Sequence, residues 1–339
     1  MMMKYLLKIS FFGILISFFG CGQTESANDN ANKQPTNAPN DIIRHLDEEI
    51  LKAPENAALY DMRGDAFYKL EGYDEAILDY EKAMSIEPGN VNYPLKLADV
   101  YMNYGRSRKA YNIMTAASFQ FPDSIDLQLK YAEYQIILKK NDDAFQTLQK
   151  VLKLDRHNAV AYFMMGVNFK DVDDIDKAIS SFQTAVDKDS DFVDAWMMLG
   201  YIYDEKDDPL AERFFDNAIA SDPDYLDAYM AKGNHFGNQG KFSKAIEVFE
   251  ALITKQGQNP DAYFNIGLSY VQMDSLQQAL DNFVICTQVE PTYVKGHYYL
   301  GVVNEKMGKK DEAKKYFQQT LNLDPDFERA TKALENLSK

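Results

Sequence analysis

Cysteine, histidine and tryptophan are scarce in this chain, with two, four and one in 339 residues. Two cysteines, Cys21 and Cys286, build no disulfide framework. Cys286 has no histidine beside it to activate a thiolate and reads as a small apolar side chain. His45, His157, His235 and His297 lie far apart, and none belongs to an HExxH or similar pair, so no zinc site is encoded. Asp187, Asp189 and Asp191 have the alternate spacing of a calcium loop. Phe192 stands where its glycine belongs and Met198 where its bidentate glutamate belongs, so the three read as solvated capping residues. A phosphate-binding glycine loop, a GxSxG elbow and a pair of catalytic carboxylates are equally lacking. No enzyme, catalytic residue, metal or cofactor is expected. Basic residues are outnumbered, 36 Lys and Arg against 52 Asp and Glu, for a net charge of −16. No basic stripe is available to neutralise phosphates, which argues against nucleic acid. The acidity itself serves the solubility of a long surface.

What the chain has in abundance is a period. From Ala57 to Asn90, Tyr60, Gly64, Phe67, Ala76, Tyr80, Ala83 and Pro88 occupy positions 4, 8, 11, 20, 24, 27 and 32 of a 34-residue unit. Position 8 then runs Gly64, Ala98, Ala132, Gly166, Gly200, Gly233, Gly267, Gly301. Position 20 is alanine throughout, at Ala76, Ala110, Ala144, Ala178, Ala211, Ala245, Ala279 and Ala313. Position 24 answers with bulk, as Tyr80, Met114, Leu148, Phe182, Phe215, Phe249, Phe283 and Phe317. Small residues mark where two helices cross, large ones fill the space beside the crossing, and the recurrent proline ends the second helix.

This spacing resembles the tetratricopeptide repeat. The resemblance implies an all-α, right-handed α-solenoid of eight helix-turn-helix units, at 57–90, 91–124, 125–158, 159–192, 193–225, 226–259, 260–293 and 294–327. One elongated domain is expected, because such repeats contact mainly their neighbours. The fifth unit is one residue short in its inner turn, where Asp208 can cap and Pro209 can open the second helix. Residues 41–56 place Ile42, Leu46 and Ile50 on one helical face and match the second half of a repeat, suited to cover the open end of the first unit. At the other end, residues 328–339 follow Phe327 with Ala330, Leu334 and Leu337 on one side only, the pattern of a capping helix.

Ahead of the repeats, residues 1–20 carry Lys4 and Lys8, an apolar run from Ile9 to Phe19 and then Gly20 before Cys21. The run is too short to span a bilayer comfortably. It resembles a bacterial lipoprotein signal, although Phe18 and Phe19 depart from the usual residues before the cysteine. The resemblance implies a mature chain that begins at a lipidated Cys21, anchored in the bacterial cell envelope and facing the periplasm, with the outer membrane favoured over the inner. Residues 22–40 carry no large apolar side chain and read as a flexible polar tether.

In this family the first helix of each unit lines the concave face, and positions 5 and 9 point into it. Here position 5 runs Asp61, Leu95, Leu129, Phe163, Met197, Met230, Phe264, Tyr298, and position 9 runs Asp65, Asp99, Glu133, Val167, Tyr201, Asn234, Leu268, Val302. The family's clamp for a chaperone's C-terminal carboxylate needs cations at these positions, and none stands there. A ligand, expected to be a protein or peptide segment, would be held by apolar anchors, by polar contacts such as Asn234, or by its own basic residues meeting Asp61, Asp65, Asp99 and Glu133. Its apolar residues would meet an anchor track of Phe163, Met197, Tyr201, Phe264 and Tyr298. The competing reading is that adjacent first helices bury these side chains against one another. The function that follows is a membrane-tethered, non-catalytic scaffold for assembling an envelope complex. The alternatives are a cell-wall or carbohydrate-processing accessory, or a spacer without a ligand.

Overall fold

The computed structural model describes residues 39–338, whose regular structure is entirely helical. The signal stretch, Cys21 and the tether up to residue 38 lie outside the described residues. A leading helix, α1 (Pro39–Lys52), begins two residues before the expected Asp41. Paired helices follow: α2 (Ala57–Lys69) with α3 (Tyr73–Ile86), α4 (Asn92–Asn103) with α5 (Ser107–Gln120), and α6 (Ile125–Ile137) with α7 (Asn141–Leu154). The fourth repeat supplies α8 (Ala159–Asp171) and α9 (Ile175–Lys188). The later pairs are α10 (Val193–Glu205) with α11 (Leu210–Ser221), α12 (Leu226–Asn238) with α13 (Phe242–Lys255), α14 (Pro260–Gln272) with α15 (Leu276–Val289), and α16 (Val294–Lys306) with α17 (Lys310–Leu323). A closing helix, α18 (Glu328–Leu337), ends the described chain.

Where one elongated domain was expected, the chain divides into two compact units, one ending at Asp174 and the other starting at Ile175. The division falls in the inner turn of the fourth repeat, so α8 belongs to the first unit and α9 to the second.

Every pair turns on one device. The fifteenth residue of each repeat has a left-handed backbone: Glu71, Lys139, Asp173, Asp207 and Asp274 at φ from 55° to 62°, and Gly105, Gly240 and Gly308 at 71° to 76°. The next amide reaches back to the eleventh carbonyl, as in Arg106 N to Tyr101 O at 2.8 Å and Lys241 N to Phe236 O at 2.9 Å. These are the left-handed cap and six-to-one bond of a Schellman motif, which satisfies carbonyls that a helix end leaves bare. In the shortened fifth repeat Asp208 accepts a bond from the Leu210 amide at 2.9 Å, and Pro209 sits in helical conformation before α11.

The small residue at position 8 is small because of position 24. A β-carbon on Gly233 would come within 2.4 Å of the Phe249 ring, and one on Gly200 within 2.5 Å of Phe215. Where position 8 is alanine instead, at Ala98 and Ala132, position 24 is the unbranched Met114 or the aliphatic Leu148, and all four are buried. Glycine with a ring and alanine with an aliphatic chain are two solutions to one packing problem.

Between repeats, the fourth residue anchors the preceding turn. Tyr60, Trp196 and Tyr229 donate to the carbonyls of Pro54, Ser190 and Pro223 at 3.0, 2.8 and 3.1 Å. His297 does the same through Nε2 to Pro291 O at 2.9 Å. Junction aspartates close the turns: Asp189 accepts from the Asp191 amide at 3.0 Å and Asp155 from His157 at the same distance. Among the described residues no three His, Cys, Asp or Glu side chains are grouped to hold a metal.

The leading helix covers the first repeat through Ile50, which joins Ala57, Tyr60, Ala83 and Tyr93 in one buried cluster; Leu46 is also buried, while Ile42 is exposed rather than covered. The closing helix buries Ala330 with Ala313 and Phe317, and lays Leu334 and Leu337 beside them.

Candidate ligand-binding face

In the first unit the inward carboxylates are already occupied by the chain itself. Lys96 Nζ lies 2.8 Å and 2.9 Å from the two oxygens of Asp61 and 2.9 Å from Asp65, whose other oxygen accepts the Tyr80 hydroxyl at 2.6 Å. One repeat on, Lys130 Nζ stands 3.0 Å from Asp99 and 3.1 Å from Glu133, and Tyr134 donates to Asp99 at 2.7 Å. Each ammonium also faces a tyrosine ring, Lys96 at 5.7 Å from the Tyr80 centroid and Lys130 at 5.3 Å from that of Tyr134. Burial pushes the Glu133 carboxyl up, with Asp99 reinforcing and Lys130 opposing. Burial also opposes the charge on Lys130, yet Asp99 and Glu133 together hold its ammonium above the ordinary value. The hydroxyls of Tyr80 and Tyr134 are driven far up by burial and by the carboxylates they bond.

This overturns the expectation that Asp61, Asp65, Asp99 and Glu133 await a basic partner. The cations come from position 6, of the following repeat for Asp61, Asp65 and Asp99 and of the same repeat for Glu133, a column that positions 5 and 9 do not reveal. Of the two neighbouring apolar candidates, Leu129 is buried and Leu95 half-buried. A further closed pair, Arg63 with Asp79, makes two bonds of 2.8 and 2.7 Å, and Arg63 also reaches Asp47 of α1 at 2.6 Å.

The proposed anchor track is mostly core. Phe163 and Met197 are 1 % exposed and Phe264 is 7 % exposed. Phe264 is enclosed by rings, 5.3 Å from Tyr293 and 5.6 Å from Phe283 of its own repeat and 5.4 Å from Tyr299 of the next. Tyr298 is half-buried against Phe317 and Phe327, at 5.6 and 5.1 Å, where the closing helix packs. The competing reading, mutual burial of adjacent first helices, holds for these residues. Tyr201, like Tyr298, is half-buried, with its ring edge-on to Phe215 at 5.7 Å.

A different set remains accessible on the first helices of the second unit. Asn234 is exposed; Tyr201, Met230, Leu268 and Val302 are half-buried, as is Val167 in the first unit. The Asn265 amide sits 3.6 Å from the Met230 sulfur, so neighbouring repeats present a continuous surface of amide and thioether there. Flanking it, the second residue of three successive first helices is Asp194, Asp227 or Asp261. Tyr225 donates to Asp194 at 3.1 Å and Tyr293 to Asp261 at 2.6 Å. Burial, together with the neighbouring Asp227 charge and against the Tyr225 bond, holds the Asp194 carboxyl up. The Tyr201 hydroxyl is pushed up to about 12 by burial and by Asp227 and Asp204.

Two buried groups lie outside this face. Cys286 has its thiol pushed up to about 12 by burial, then by Asp261 and Glu290, which keeps it an inert packing residue. His235 is buried, with Nδ1 at 2.6 Å from Asp204 and its ring against Phe215 and Phe236.

The sequence matches the tetratricopeptide repeat over residues 294–327, 69–134, 163–225 and 230–283. Among curated relatives, the Hsp70-Hsp90 organizing protein 1 of Glycine max is 22% identical over 263 residues, 78% of this chain but 41% of the relative. The stress-induced-phosphoprotein 1 of Caenorhabditis elegans is 21% identical over 280 residues, 80% of this chain and 75% of that one. The chain thus spans about two fifths of the length of the plant relative. Among solved structures, the C-terminal part of a TPR repeat-containing protein from Cytophaga hutchinsonii aligns with a TM-score of 0.61 at 16% identity, over 72% of this chain and 99% of that one. With helix pairs that repeat one turn motif and one crossing rule, and with the family's pattern matched over most of its length, this chain belongs to the tetratricopeptide repeat family.

Proposed function

We propose that this protein is a non-catalytic adaptor that holds an extended segment of another protein against the first helices of its second unit. The observation that carries the reading is the accessible surface of Tyr201, Met230, Asn234, Asn265, Leu268 and Val302, apolar groups interleaved with side-chain amides. Apolar patches left open on a strongly acidic chain mark interaction sites, and amides suit the backbone of an extended peptide. The likeness to co-chaperone organizers supports the class of function, and the absence of cations at positions 5 and 9 separates this face from their carboxylate clamp. The Lys-flanked apolar run ending at Gly20 and Cys21 supports a lipid tether that displays the repeats at an envelope membrane, where the adaptor gathers a multi-protein complex.

A display library of random octapeptides, selected on the full-length protein, tests the binding reading. Selected peptides should protect the first helices between residues 193 and 306 from hydrogen exchange; protection confined to the first unit, or no selection at all, overturns it. For the tether, intact-mass spectrometry of the membrane fraction should find lipid on Cys21, and Cys21→Ser should release the protein. An unmodified Cys21 in membranes would defeat that half of the proposal.

A further inference from the structure

The two units treat inward-facing acid differently. In the first, Asp61 and Asp65 enclose Lys96 of the next repeat, and Asp99 with Glu133 of the following repeat encloses Lys130, each lysine with a tyrosine ring beside it. In the second, the same chemical set recurs without the cation. Asp194 and Asp227 stand in the first turns of the adjacent helices α10 and α12, close enough that the charge on one raises the carboxyl of the other. Tyr225 bonds Asp194, and the Tyr201 ring packs in the same cluster as Tyr225, near enough to Asp227 and Asp204 that their charges add to burial in raising its hydroxyl. The lysine column itself is interrupted: position 6, which supplied Lys96 and Lys130, is the buried Ala231 in the sixth repeat. Among the described residues no lysine or arginine forms an ion pair with Asp194 or Asp227; Lys232, the nearest in sequence, is spent on Asp216.

A carboxylate in a helix's first turn is favourable on its own account, since it opposes the helix dipole. That accounts for an exposed acid such as Asp126. It does not account for Asp194, which is partly desolvated, set near a second negative charge and given a tyrosine hydroxyl in place of a cation. Beside it runs the open apolar strip of Tyr201, Met230 and Leu268, so the acids border a docking surface. Charge complementarity then names the occupant.

We infer that the segment bound on the second unit carries a lysine or arginine that seats between Asp194 and Asp227 against the Tyr201 ring, with apolar residues on its C- or N-terminal side lying over Met230 and Leu268. This rests on the binding face proposed above and specifies its partner: an extended peptide, basic at one position and apolar beside it. The partner's cation completes the arrangement that the first unit completes with its own lysines.

The octapeptide selection on the full-length protein separates the two ideas. A consensus with one fixed Lys or Arg next to apolar residues is expected. In the peptide that binds best, replacing that residue by norleucine should weaken binding about tenfold or more. Asp227→Asn, at an exposed position, and the double change with Asp194→Asn should cause a comparable loss, and the peptide and protein changes together should cost little more than either alone. Asp227→Lys should shift the selected consensus toward Asp or Glu at the same place, with melting curves verifying that each variant is folded. Peptides that bind the second unit without a basic preference, or losses that simply multiply, overturn this inference and leave the binding face standing. Selection of no peptide overturns both.

Discussion

The inner surfaces of the two units are built from one template and finished in opposite ways. Around Lys96 and Lys130 the charges are closed into short chains of acid, ammonium and tyrosine, so the first unit spends its polar groups on holding repeats together. From Val193 onward the corresponding columns hold sulfur, aromatic, amide and aliphatic groups, and Asp194 and Asp261 at the helix starts have tyrosine hydroxyls as partners rather than cations. The difference teaches that net charge says little about where a repeat protein can bind. What matters is whether the adjacent repeat carries the counter-ion.

Several substitutions would break or sharpen this contrast. The largest effect is expected from Phe264→Ala, which empties a site enclosed by Phe283, Tyr293 and Tyr299 and should cost about 3 to 5 kcal/mol in denaturant unfolding. The same position in the first repeat is Asp61, a partly exposed member of an ion pair, and Asp61→Ala should cost only about 1 kcal/mol. Equal losses would mean that the two position-5 columns play one role.

Next comes Lys130→Met, which leaves Glu133 buried at 3 % exposure without its cation and should cost about 3 kcal/mol near neutral pH. The pH dependence has a definite sign. Burial holds the folded Glu133 carboxyl above its ordinary value, so its protonated form favours folding; that contribution is present in acid and lost as pH rises through the raised value. The penalty of Lys130→Met should therefore shrink as melting is followed from neutral pH down to about pH 4. A penalty that grows on acidification would show that Glu133 is not the group left unpaired.

Gly233→Ala follows, at roughly 1 to 3 kcal/mol, because its new methyl meets the Phe249 ring at 2.4 Å. The reverse change in the first unit, Ala98→Gly, should cost about 1 kcal/mol through helix propensity alone. Smallest of all are the turns, in which the two units are alike. Glu71→Gly in one and Asp274→Gly in the other relieve a left-handed backbone at φ 59° and 55°, and each should raise stability by roughly 0.5 to 1 kcal/mol. Opposite signs would show that the turns differ despite their shared geometry.

The helices and their pairing were legible because Gly64, Ala76 and Tyr80 recur with their period and because an alternation of small and large positions has one cheap structural solution. Site chemistry was less so. Position numbers give direction from a helix axis but not depth, which the surrounding rings set: Tyr293 of its own repeat and Tyr299 of the next close over Phe264, which is buried, whereas Met230 at the same position is half-buried. The counter-ions were missed for a related reason. Lys96 and Lys130 follow one residue after position 5, and reading that column beside the other two would have found them. The bond from His297 to the Pro291 carbonyl was likewise not legible from the histidine alone; it follows from His297 occupying the place of Tyr60 and Trp196, which bond the preceding turn in the same way.

The pairing of Gly with a ring and of Ala with an aliphatic chain also restricts how such repeats can diverge. Starting from Gly200 and Phe215, adding the methyl first drives it into the ring, while shrinking the ring first opens a void that the methyl can afterwards fill. One order of steps is therefore far more passable than the other, and the passable one runs through a loosened intermediate. Repeats two and three, adjacent in the chain, share the alanine solution with Met114 and Leu148, whereas every other repeat keeps glycine with an aromatic ring. Exchanging either of these two repeats for the glycine solution would require the same ordered pair of changes in reverse, ring growth only after the methyl is gone.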